Sequence, residues 1–373
     1  MLRPRVLFLL AIGLLLAASP MLAANYAVGT CKPSLPSYAT ISGAVSGVPP
    51  GSTVLVCPGT YPEQVTIAQA LTLKGITSGN AGQAVITVPG SGLAVVPSSF
   101  GGNTIAPQVH VTAGPVNISD ITVDGTGSNV TYPPWLVGIF YDSGSSGTVN
   151  EVTARNLSTS GLGAGVGIWA ENATSTNESV TIQNSSFHDI DNAAVIAVGS
   201  TLIATAKGNT MHAGGYQVQW TSGGSITANV INGSGGFDGI TVIGPVTVSG
   251  NTLANQVHGI QADNGVTATS NKISNMSGAG ILDYGGGDTY KLNTITNVGV
   301  GIEFNCNTPT VASNTINDAT TGLNNVPASF SGANSFYNVV TLRTDGCGSA
   351  PIHGPNSPAA PSSGSGPRPA PAH

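Results

Sequence analysis

Apolar and polar residues alternate through most of this chain in short runs broken by Gly, Asn and Pro. Between Gly259 and Ala279, Ile260 and Ala262 alternate with Gln261 and Asp263, and Asn264-Gly265 turns the chain. Val266-Thr267-Ala268-Thr269 then reads as a second strand, and after Asn271 a third begins at Ile273. A period of two over four or five residues predicts strands with one buried face. The unit recurs. Gly followed by an aliphatic residue appears at Gly239-Ile240, Gly259-Ile260, Gly280-Ile281, Gly301-Ile302 and Gly322-Leu323, in steps of 20, 21, 21 and 21. Gly138-Ile139 and Gly167-Ile168 are earlier members separated by a longer coil. A second column, Asn209, Asn229, Asn251, Asn271, Asn293, Asn314 and Asn334, keeps the same phase in steps of 20 to 22.

Two phased columns predict a solenoid. The fold expected is all-β, a single-stranded right-handed parallel β-helix of roughly 20–22-residue coils stacked ~4.8 Å apart. Asn tolerates the left-handed backbone of a sharp bend, and stacked Asn amides can satisfy one another along the axis. Leucine-rich and propeller repeats are excluded by the missing Leu period and missing Trp-Asp pairs.

The ends read differently. Arg3 and Arg5 precede the apolar run Val6 to Ala18, with Ala23 and Ala24 as cleavage positions, so residues 1–24 read as a signal peptide. The expected location is secreted, extracellular or periplasmic. No other stretch reaches the roughly 20 apolar residues of a membrane span. Residues 25–108 form an N-terminal cap and the first coils, with a capping helix expected over Tyr38 to Ser46. Residues 109–347 carry the remaining coils and a C-terminal cap, and 348–373 form a Pro/Ser/Gly/Ala-rich tail expected to be disordered.

Composition narrows the chemistry. Only 7% of residues are charged and 5% aromatic. Without Arg3 and Arg5, 8 of the 10 basic residues remain against 16 acidic ones, and none cluster. Nucleic acid would find no counter-surface. Four cysteines suit an oxidising compartment, paired economically as Cys31–Cys57 and Cys306–Cys347 to close each end. No C-x-x-C supports a metal alternative.

Taking the Ile of each Gly-Ile step as inward leaves an outward column of Phe140, Trp169, Thr241, Gln261, Leu282 and Glu303. Beside it runs Asp142, Glu171, Asp263, Tyr284 and Asn305, with Asp283 and Trp220 nearby. Aromatic faces stack on sugar rings while carboxylates and amides bind hydroxyls. Phe140, Trp169, Trp220, Gln261, Asp263, Tyr284 and Glu303 are therefore the expected carbohydrate-binding residues. Asp142 and Glu171, on adjacent coils, would stand roughly 5 Å apart and are the candidate catalytic pair. Asp263, Asp283 and Glu303 are a candidate calcium set. His188 and His212, with Asp189 and Asp191, could form a transition-metal site, although two histidines without a third ligand are usually ordinary surface residues. The Asn-x-Ser/Thr sequons, such as Asn117-Ile118-Ser119, follow from Asn and Thr filling turns and carry no further weight.

From Thr40 to Gly75 the chain reads Thr40-Ile41, Ala44, Pro50-Gly51, Val54-Leu55-Val56-Cys57-Pro58-Gly59-Thr60-Tyr61-Pro62-Glu63, Val65-Thr66-Ile67 and Leu71-Thr72-Leu73-Lys74-Gly75. This resembles the opening coil of the pectin-lyase-like superfamily, and the later coils resemble its generic β-helix repeat region. The resemblance implies the fold over most of the mature chain. The paired-Asp motifs of pectin methylesterases, the Gly-His-Gly of polygalacturonases, the Arg and calcium cluster of pectate lyases and the Asp-Pro-His-Asp of alginate epimerases are all missing. The resemblance is therefore to the scaffold and not to an activity. The expected function is binding of a polysaccharide or cell-surface glycan on an exposed face. The alternatives are a non-catalytic adhesion stalk and a lyase or glycoside hydrolase of another subtype.

Overall fold

A computed structural model describes residues 24–77, 83–160, 163–233 and 235–346. The signal segment, Cys347 and the Pro-rich tail lie outside them. Among the described residues no helix is long and apolar enough to cross a membrane.

The strands form one sheet of 32, parallel except where Val96–Pro97 meets Thr104–Val111. The expected columns stack in register. In the first ladder Val109, Ile139, Ile168, Val195, Val218, Ile240, Ile260, Ile281, Ile302 and Leu323 are successive partners. A second ladder stacks Ile182, Ala206, Ile226, Val248, Ala268, Tyr290 and Val311. A third stacks Phe187, Met211, Ile231, Leu253, Ile273, Ile295, Ile316 and Phe336. These side chains fill one continuous core, and each buried Ile or Leu stabilises it by about 1.5–3 kcal/mol.

Close approach explains the glycines of the Gly-aliphatic column. A Cβ at Gly280 would sit 2.5 Å from Ile295 of the third ladder, and one at Gly301 would sit 2.4 Å from the carbonyl of Gly322. The core is too narrow there for any side chain.

The asparagines complete the coil. Asn271 Nδ2 donates to Val248 O and Asn293 Oδ1, both at 2.9 Å. Its Oδ1 accepts the backbone N–H and Nδ2 of Asn251, both at 3.0 Å. All four capacities of the amide are used, and the pattern repeats from Asn209 to Asn314.

At the N-terminal end the helix is Ile41–Gly47, close to its expected place. It starts later because Ser37–Tyr38 pairs as a strand with Ala27 and Val28, and Thr40 caps the helix. The Glu63 carboxylate accepts the N–H groups of Ile41 and Ser42 at 2.8 Å each, suiting the positive end of a helix. Cys31–Cys57 is a disulfide, as expected. Cys306 is exposed and has no disulfide partner among the described residues.

Candidate functional site

The outward face of the first ladder divides into two halves. In the N-terminal half, Phe140 and Trp169 do point away from the main core, as expected, but both are fully buried. They join Ile105, Trp135, Val137, Val166, Ile196 and Val198 in a second core outside the coil, over which Val96, Phe100, Tyr132 and Tyr216 pack. Trp169 meets Trp135 edge-on with ring centroids 5.7 Å apart. His110 stacks on Phe140 at 5.3 Å. The expected exposure of Phe140 and Trp169 is thus corrected, because the insertion before Thr104 folds back over them.

Glu171 holds that insertion down. Its Oε2 accepts Ser98 Oγ at 2.6 Å and Trp169 Nε1 at 3.1 Å, and its Oε1 accepts the Ser99 N–H at 2.7 Å. Burial raises the Glu171 pKa, those three donors oppose the rise, and the charge on Asp142 adds to it. Asp142 follows Tyr141 as Glu171 follows Ala170, and Tyr141 and Ala170 are partners on adjacent coils. Asp142 accepts the Ser143 N–H at 2.7 Å and lies 3.1 Å from His110 Nε2. The pair expected to catalyse therefore sits at the margin of a covered core, with the Glu171 carboxylate occupied.

Trp220 is also corrected. It is in register with Ala197 and Val242, two positions beyond the inward Val218, and so points into the main core.

The C-terminal half of the face is open. Gln261, Asp263, Tyr284 and Glu303 are all partly exposed there. Sequence reasoning missed its centre. His258 Nδ1 lies 2.8 Å from Asp238 Oδ1, and Thr241 Oγ1 donates to Asp238 Oδ2 at 3.1 Å. The Asp238 side chain is 8% exposed and that of His258 26%. A carboxylate only accepts, so Nδ1 carries the imidazole proton and Nε2 keeps its lone pair. A Cβ at residue 278 would stand 2.7 Å from His258 Nε2 and Cδ2, so Gly278 leaves that edge clear. Burial raises the Tyr284 hydroxyl pKa, and the charges on Asp238 and Glu303 raise it further, which places all three groups in one patch. The patch spans four coils, roughly 14 Å along the axis. Spacing in the sequence could have revealed the pair, since Asp238 and His258 are 20 residues apart and both precede a Gly-Ile step.

The calcium set does not converge. Asp263, Asp283 and Glu303 recur every 20 residues, whereas Ile260, Ile281 and Ile302 recur every 21. Each acid therefore slips one place per coil. Glu303 pairs with Leu282 on the outward face, while Asp283 pairs with Ala262 and points inward. Among the described residues no group of three or more His, Cys, Asp or Glu could hold a metal ion. His188 and His212 are partners on adjacent coils, but His188 Nδ1 turns to Asp189 at 2.6 Å and His212 Nδ1 to the carbonyl of Asn232.

Asp283 has a separate role. Its Oδ1 lies 2.6 Å from the Tyr290 hydroxyl, which is also 3.1 Å from Asp288 Oδ2, while its Oδ2 is buried with no hydrogen-bond partner. Burial, with Asp288 beside it, pushes the Asp283 carboxyl up to about 8.

No family model and no curated protein matches this chain. Solved structures do. The mannuronan C-5 epimerase AlgE4 A-module of Azotobacter vinelandii is similar with a TM-score of 0.58 at 16% identity, over 84% of this chain and 93% of that one. The GH136 lacto-N-biosidase of Eubacterium ramulus gives 0.55 at 10% identity, over 86% and 68%. The catalytic unit of a GH87 α-1,3-glucanase from Streptomyces thermodiastaticus gives 0.51 at 17%, over 83% and 67%. At these identities the likeness is one of fold, and with the stacked ladders it establishes the chain as a right-handed parallel β-helix.

Proposed function

We propose that the open half of the first face binds an extended polysaccharide and that His258 moves a proton on it. The observation that carries this reading is the His258–Asp238 pair, with Nδ1 anchored on a buried carboxylate and Nε2 clear above Gly278. A base oriented by a third group in this way is the usual arrangement for general acid–base work. Gln261, Asp263, Tyr284 and Glu303 supply hydrogen bonds and one ring face along the same patch. No Lys or Arg occupies its outward positions between Asp238 and Asn305, so a neutral glycan fits better than a polyuronate. Three similar folds that act on mannuronan, on a lacto-N-bioside or on α-1,3-glucan support a carbohydrate partner. The Cys31–Cys57 disulfide agrees with a site of action outside the cytoplasm.

A glycan array on the full protein, followed by product analysis on any glycan retained, tests both parts. Binding with release or conversion that is lost in His258→Gln is the expected result. Binding and turnover unchanged in that variant remove His258, and the absence of any glycan partner leaves the stalk reading.

A further inference from the structure

The two ends of the coil stack are finished differently. The first coils are closed by the helix Ile41–Gly47 and the Cys31–Cys57 disulfide. The last strand, Ser335–Asp345, is eleven residues long and pairs only with Thr315–Val326 among the described residues. Its other edge presents a row of backbone N–H and C=O groups. Tyr337, Val340 and Leu342 on this strand are 62%, 84% and 55% exposed. The amide ladder stops here as well, with Asn334 Nδ2 buried and without a hydrogen-bond partner. A long apolar edge strand of this kind is a template for another strand.

The rest of the chain is a poor source for that strand. Residues 347–373 contain seven prolines, no proline-free run longer than five residues, and Ile352 as their one branched aliphatic residue. Proline cannot donate to a ladder. The same edge of a second copy has the required length and apolar content. Its charges also allow the match, because Arg343 and Asp345 already pair with each other at 2.6 Å and leave the edge neutral. A two-fold arrangement is self-complementary: each edge supplies what the other needs, and the contact closes at two subunits.

We infer that the protein forms an end-to-end dimer in which Ser335–Asp345 of two copies pair antiparallel, with Val340 and Leu342 at the two-fold. The interface lies at the tip of the stack, so the carbohydrate face of each copy stays open and the particle doubles in length.

Light scattering and small-angle scattering of the full chain from low to high micromolar concentration, with amide hydrogen exchange at both extremes, test this. The expected result is a dimer of about twice the monomer length whose last-strand amides gain protection as it forms. Val340→Lys with Leu342→Lys should weaken it at least tenfold by setting like charges opposite each other. Both side chains are exposed, so the thermal midpoint of the monomer should not move. A monomer at every concentration overturns the inference. If its last-strand amides are protected regardless of concentration, residues after 346 cover the edge instead. A dimer that persists in the double variant places the interface elsewhere and overturns it equally.

Discussion

The two halves of the first-ladder face start from the same geometry and end with opposite surfaces. In the N-terminal half the outward ring of Trp169 is sealed beneath Phe100 and its neighbours, and Glu171 spends its carboxylate on Ser98 and Ser99. In the C-terminal half no such insertion exists, and His258, Gln261, Tyr284 and Glu303 remain partly exposed. Each half contains a His–Asp contact, His110–Asp142 and His258–Asp238. Only the second has its carboxylate buried and its imidazole edge clear. Residue type and register therefore decide which way a side chain points, whereas a distant segment decides whether solvent or substrate can reach it.

Four changes would sharpen or break this contrast. The largest effect is expected at His258, where Gln should reduce glycan turnover by about 10²–10⁴-fold. Its unfolding midpoint should stay unchanged, whereas a large stability loss would make the pair structural. Next is the buried acid beneath the open half. Folding raises the Asp283 pKa to about 8, so the folded state holds a proton that the unfolded chain has lost above its ordinary carboxylate pKa. Stability should be full below about pH 4 and fall by about 1.4 kcal/mol per pH unit up to about pH 8. Denaturant midpoints across that range check the slope, and Asp283→Asn should flatten it.

In the covered half, Glu171→Ala leaves the Ser98 hydroxyl, the Ser99 N–H and the Trp169 N–H without their acceptor. The expected cost is about 2–4 kcal/mol in denaturant unfolding, with a red-shifted tryptophan emission as the cover loosens. Unshifted emission would mean that apolar packing alone holds the insertion. The smallest effect is expected for Tyr284→Phe, which should weaken glycan binding by about 1 kcal/mol in titration calorimetry and leave the fold intact.

Much of this was legible before any coordinates. Gly-Ile and Asn columns with a common step gave the coils, their register and the amide ladder, because a repeated local unit leaves a repeated local signal. The cover was legible too, in a pattern that the choice of one inward parity obscured. Trp135-Leu136-Val137-Gly138-Ile139-Phe140-Tyr141 is apolar at both parities, as is Ala193-Ala194-Val195-Ile196-Ala197-Val198. A strand that is apolar on both faces is buried on both. The later coils alternate, as in Ile260-Gln261-Ala262-Asp263, and stay open on one side. The false calcium set arose from counting 20-residue steps in coils of 21. Trp220 was misplaced through its parity relative to Val218, which belongs to the inward column without a Gly-Ile signature.

The saturated amides of the Asn column carry a consequence for how this protein can change length. Asn251, Asn271 and Asn293 each use both donors and both acceptor sites on the coils above and below. Removing one whole turn of the winding would bring two identical amides into contact and leave every bond replaced. Deleting a single residue within a turn would shift the following side chains to the opposite face and strand an amide in the interior. Viable insertions and deletions should therefore arrive in complete turns, making the long axis of the molecule adjustable only in discrete steps.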